Sequence, residues 1–151
     1  MNAFKPAPLI LAALLTLGAG VTHAADKAAA AREAQKIIDG CWKLSEELRS
    51  SPSVGKQRQG AGETFSCLKA AVLEQMVVLF PSDLYTREKA LARLNRIRDS
   101  YGRLYWDLYN EHKGCFCGTI FQVLHMSELA TLFEKILRDM IATRRKYGIG
   151  K

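Results

Sequence analysis

Catalytic signatures are what this sequence lacks. It contains no glycine-rich phosphate loop and no Cys-x-x-Cys-His haem attachment. Histidine is scarce, with 3 in 151 residues, and no Ser-His-Asp or Cys-His nucleophile arrangement is legible. Alternating strand patterns are absent, and so is any internal repeat or interdomain linker. Beyond residue 24 no apolar run approaches the roughly 20 residues that span a bilayer. Acidic residues are the minority, 15 against 22 basic, for a formal net charge of +7. These absences exclude the common nucleotide-binding, cytochrome and hydrolase patterns and leave a small helical chain.

The first residues read as an export signal. Lys5 supplies a short positive start, Pro8 to Gly20 is apolar and small, and Thr22-His23-Ala24 suits a cut after Ala24. Gly18 and Gly20 interrupt the run, which is too short for an anchor. The expected product is residues 25–151, a single domain in the periplasm or secreted, where disulfides persist. All four cysteines, Cys41, Cys67, Cys115 and Cys117, fall within it.

Four helices are expected in that domain. Ile37, Cys41, Leu44 and Leu48 give the first an apolar stripe, and "SSPSVGKQRQGAG" (50–62) is expected to end it. Phe65, Leu68, Val72, Met76 and Leu79 mark the second, over 63–80. Ser82 and Asp83 are candidate caps for the third, which carries Leu91, Leu94, Ile97, Tyr101, Leu104 and Leu108. Gly114 is its candidate C-cap. The fourth runs from Thr119 to Tyr147 and ends at Gly148. Short links join antiparallel neighbours, so the fold expected is an all-α antiparallel four-helix bundle, disulfide-stapled at one end.

Four cysteines allow three pairings. In that topology all four lie toward one end. A Cys115–Cys117 bridge closes a very small, strained ring, so bridges from Cys41 and Cys67 across to Cys115 and Cys117 are favoured. The competing reading uses His112, Cys115, Cys117 and His125 as zinc or copper ligands or as a redox site. Their spacing matches no standard finger, and no cofactor is expected. His125 alone reads as a partly buried, hydrogen-bonded side chain.

The stretch "YGRLYWDLYNEH" is the most aromatic in the chain. Tyr101, Tyr105 and Leu108 are expected to pack inward, which sends Trp106 and Tyr109 to the edges. Exposed aromatics beside arginine are the composition of binding hot spots. Arg103, Trp106 and Tyr109, with Phe116 in the cysteine loop, are therefore the candidate partner-binding residues. The carboxylate pair Asp107 and Glu111 reads as solvated surface. The expected function is a non-enzymatic protein-binding module, with an inhibitor or immunity protein against an envelope-acting toxin or enzyme as its sharpest form. The basic residues of the third helix and of the C-terminus (Arg138, Arg144, Arg145, Lys146) suit envelope polyanions as a further alternative. Nucleic acid is not an expected partner in that compartment.

Overall fold

The computed structural model describes residues 9–80, 86–111 and 119–149, with side chains from residue 25 onward except at 108–110 and 119–120. It is all helical, with no strand among the described residues. Helix α1 spans Leu9–Leu44, α2 Glu46–Arg49, α3 Val54–Leu79, α4 Arg87–Glu111 and α5 Thr119–Lys146. None of them is long and apolar enough over its described residues to cross a membrane.

Alanine and other strong helix formers carry α1 through the expected cut after Ala24 without a break. Ala25 to Ala28 are exposed, and Ala30 is the first described residue to be buried. From there Ala34, Ile38, Cys41 and Ser45 continue inward at steps of three and four. The inward stripe thus runs through Ile38, with Ile37 only partly buried beside it. Leu44, expected in the core, is 68% exposed.

The expected break over 50–62 is confined to a four-residue link, Ser50 to Ser53. Pro52 fits there because it precedes the first turn of α3. Three glycines then sit inside α3, against their propensity. Gly60 explains one of them. A Cβ at Gly60 would meet Arg49 Cγ at 2.7 Å, Leu48 Cβ at 2.9 Å and Arg49 N at 3.0 Å. The glycine lets α2 press directly onto α3, and packing overrides the local preference.

Helices α3 and α5 together supply most of the core. Phe65, Leu68, Val72, Leu73 and Met76 are buried, joined by Leu129, Ala130, Phe133, Leu137 and Ile141 from α5. Phe65 and Phe133 meet edge to face at 5.2 Å. Full burial of each large apolar side chain contributes about 1.5–3 kcal/mol. Helices α3 and α5 share the most extensive interface. Helix α1 packs on both, whereas α4 touches α3 and α5 more sparingly. Only Ala90 and Leu94 of α4 are fully buried among its described side chains.

Helix ends follow local chemistry. Thr86 Oγ1 accepts from the Lys89 amide at 3.4 Å, which makes Thr86 the cap of α4. The caps expected at Ser82, Asp83 and Gly114 lie outside the described residues. At the other end of the chain, Gly148 adopts φ +64°. Its amide reaches Arg145 O at 3.1 Å and the Ile149 amide reaches Arg144 O at 3.0 Å. That pair of bonds is a Schellman motif, which needs a residue tolerant of positive φ.

A disulfide joins Cys41 to Cys67, with Cα atoms 5.5 Å apart. This corrects the favoured cross-bridging of these two cysteines to Cys115 and Cys117. The reason is the short link. With α3 starting at Val54, the contacts Arg49–Gly60, Ser45–Thr64 and Cys41–Cys67 rise along one helix as they fall along the other. Cys41 is thereby set opposite Cys67 within the first hairpin. Cys115 and Cys117 lie outside the described residues.

Candidate functional site

Two regions hold the side chains with functional potential, the outer surface of α4 and the seam between α4 and α5. Along α4, Ala90, Leu94 and Tyr101 point inward. The rest of the expected stripe does not. Leu91 and Ile97 are on the margin of exposure, and Leu104 is 54% exposed. Helix α4 is amphipathic in sequence, yet its apolar arc is wider than the surface that α3 and α5 offer it. Burial accounts for one edge and leaves the other in solvent.

Trp106 is 58% exposed, beside exposed Arg103 and Asp107. The Arg103 guanidinium donates to Ser100 Oγ at 3.5 Å, a long bond that leaves it adaptable. The Tyr109 side chain and Phe116 lie outside the described residues. Two of the four candidate partner-binding residues, Arg103 and Trp106, are thus placed on one exposed helix surface.

At the seam, His125 of α5 lies against Tyr101 and Tyr105 of α4. Its ring is stacked on Tyr101 at 6.0 Å and sits 5.1 Å from Tyr105. Tyr105 also meets Phe121 at 5.2 Å. Gly102 makes room, since a Cβ there would lie 3.5 Å from His125 Cε1. His125 Nε2 is buried with no hydrogen-bond partner. The expectation of a partly buried, hydrogen-bonded histidine is met in its burial, while Nε2 contributes no such bond. Burial pushes His125 below its ordinary value of 6.5, so the neutral ring is favoured. Burial, together with the charge of Glu128, raises both Tyr101 and Tyr105. Of the suggested metal set, His112, Cys115 and Cys117 lie outside the described residues. Among the described residues no three His, Cys, Asp or Glu side chains come together.

Several polar contacts have no signature in sequence because their partners lie far apart along the chain. Arg144 and Arg145 both donate to the Glu33 carboxylate, Arg145 through Nε at 2.9 Å and Nη2 at 2.7 Å. Arg138 donates to Gln35 at 2.7 Å. Three of the C-terminal cations expected to face outward are therefore engaged with α1. Trp42 donates to Glu134, and the Arg49 guanidinium lies 4.4 Å over the Trp42 ring. A bound polyanion would have to compete with Glu33, so the structure weakens the case for the C-terminal end as a basic docking face.

No protein-family model matches the chain, and no curated protein or solved structure matches it.

Proposed function

We propose that residues 25–151 form a non-enzymatic protein-binding module of the cell envelope, exported with residues 1–24 removed. In this reading the helices make an antiparallel four-helix bundle, with α3 and α5 on its diagonal. The module meets a protein partner through Trp106 and Arg103 on α4, with Tyr109 and Phe116 as the further contact residues that the sequence suggests. An inhibitor or immunity protein against an envelope-acting toxin or enzyme is the form with the sharpest consequences.

The single observation behind the proposal is Trp106, 58% exposed on a helix whose inward face is already supplied by Ala90 and Leu94. Tryptophan and arginine dominate binding hot spots because each buries a large surface when a partner arrives. The Cys41–Cys67 crosslink supports an oxidising destination.

Affinity capture from an envelope extract tests the reading, with the mature chain as bait. A stoichiometric protein retained by the wild type and lost with Trp106→Ala is the expected result. Loss of 2 kcal/mol or more, about 30-fold in affinity, is the scale for a hot-spot tryptophan. An extract that yields no stoichiometric partner, or one that binds Trp106→Ala equally well, rejects it. Intact mass of the exported protein, expected to begin at Ala25 without free Cys41 or Cys67, checks the compartment separately.

A further inference from the structure

The second exposed surface of α4 lies away from Trp106 itself and adjoins the Trp106 side along Arg103, which donates to Ser100 Oγ, and Asp107. Arg93, Ile97, Ser100, Leu104, Asp107 and Glu111 recur at alternating steps of four and three residues, so they share one face. Arg96 borders it. Arg93, Arg96, Ile97, Ser100, Leu104, Asp107 and Glu111 are all exposed. Arg96, Ile97, Ser100, Tyr101 and Leu104 line a shallow groove at its centre. The face is basic in its first half, apolar and small in the middle, and acidic in its second half.

Such an order is complementary to itself when reversed. We propose that this face of α4 is a homodimer interface, its occupant the same face of a second copy related by a two-fold axis. An isologous contact requires that each surface satisfy its own copy. With the axis near the middle of the stretch, Arg93 and Arg96 of one chain come beside Asp107 and Glu111 of the other, twice over. Ile97 and Leu104 then leave water at the centre, and Ser100 lets the helices approach closely. An antiparallel pair is required, because parallel α4 helices would set arginine on arginine and carboxylate on carboxylate.

A foreign acidic helix fits less well. It would match the Arg93 and Arg96 end and be repelled at Asp107 and Glu111. A stable dimer of standard size buries about 800 Å² per partner. One helix face from each copy is smaller than that, so the dimer is reversible and concentration-dependent.

Sedimentation velocity on the full chain provides the test, with two charge-reversed variants. One carries Arg93→Glu with Arg96→Glu, the other Asp107→Lys with Glu111→Lys. All four positions are exposed, and circular dichroism confirms that each variant folds. The wild type is expected to dimerise with rising concentration. Each variant alone should dimerise at least about tenfold more weakly, as exposed pairs turned from attraction to repulsion require. An equimolar mixture of the two should recover the dimer, since only the heterodimer juxtaposes opposite charges. Trp106→Ala should leave the wild-type dimer unchanged, which separates this interface from the partner surface proposed above. A wild type that stays monomeric to its solubility limit overturns the inference. So does a mixture no more dimeric than its components.

Discussion

Gly60 sits directly beneath Arg49, so close that a single added carbon would stand 2.7 Å from Arg49 Cγ and 3.0 Å from the Arg49 amide nitrogen. The backbone nitrogen cannot rotate away as a side chain can. Gly60→Ala must therefore displace α2 from α3. Overpacking of this kind costs about 1–3 kcal/mol, and the better helix propensity of alanine returns up to about 1. The net expectation is a loss of up to about 2 kcal/mol in denaturant unfolding. Gly62, two residues on in the same helix, has nothing within 4 Å of the equivalent position. There Gly62→Ala should stabilise by about 0.5–1 kcal/mol. Opposite signs from two neighbouring glycines would identify close approach as the cause. Equal signs would dismiss it.

The same pair explains where sequence reading fell short. Helical class, the α5 boundaries and the Gly148 terminator were legible, because local periodicity and one positive-φ glycine encode them. The start of α3 was not. Gly55, Gly60 and Gly62 read as a break, and of the three only Gly60 is explained by the Leu48–Arg49 surface that it meets. The cysteine pairing went astray for the same reason, since a 50–62 loop would not hold Cys41 opposite Cys67. In α4 the apolar stripe was read correctly as amphipathic, but its periodicity could not reveal that Ile97 and Leu104 exceed the width of the core. Of the site, exposed Arg103 and Trp106 were legible from crowding on the helix surface. The Glu33 clamp was not, for its partners are more than 100 residues away.

Removing the crosslink should be felt strongly. Cys41 and Cys67 are 26 residues apart in sequence. On the chain-entropy model a loop of that size contributes about 3.5 kcal/mol at 25 °C. Cys41 is fully buried, so alanine there also leaves space behind. Cys67→Ala with Cys41→Ala is expected to lower stability by about 3–5 kcal/mol relative to the oxidised protein. Reduction of the wild type should reproduce most of that loss, and a reduced protein as stable as the oxidised one would show that the bridge does not constrain the chain.

Glu33 predicts an acid dependence of stability. Burial raises its carboxyl, but hydrogen bonds and charge from Arg145 and Arg144 outweigh that and hold it below its ordinary value of 4.5. The folded state therefore binds the proton less readily than the unfolded chain. Its contribution is complete above about pH 4.5 and is lost as pH falls through the lower folded value. Glu33→Gln should cost about 1 kcal/mol at pH 7, the scale of a partly exposed ion pair. Below pH 4.5 the variant and the wild type should converge. A constant difference from pH 7 to pH 3 would assign the effect to packing instead.

His125 predicts a second, separate acid limb at higher pH. Burial lowers its folded value beneath 6.5, so protons prefer the unfolded chain in the interval between. Stability is then complete above about pH 6.5 and falls as pH drops toward the folded value. The Tyr101 and Tyr105 rings pack against the imidazole, and a protonated Nε2 would have no acceptor for its N–H to donate to. Protonation must therefore either pull His125 into solvent or loosen α4 from α5. Phenylalanine keeps the ring stacking without the orphaned nitrogen. His125→Phe should match or exceed wild-type stability at pH 7, by up to about 1–3 kcal/mol, because a buried unsatisfied group is removed. Its stability should also be flat between pH 7 and pH 5, where the wild type declines. Amide exchange on α4 would locate the loosening: α4 should lose protection on acidification in the wild type but keep it in His125→Phe. Equal pH slopes in the two proteins would place the responsible group elsewhere.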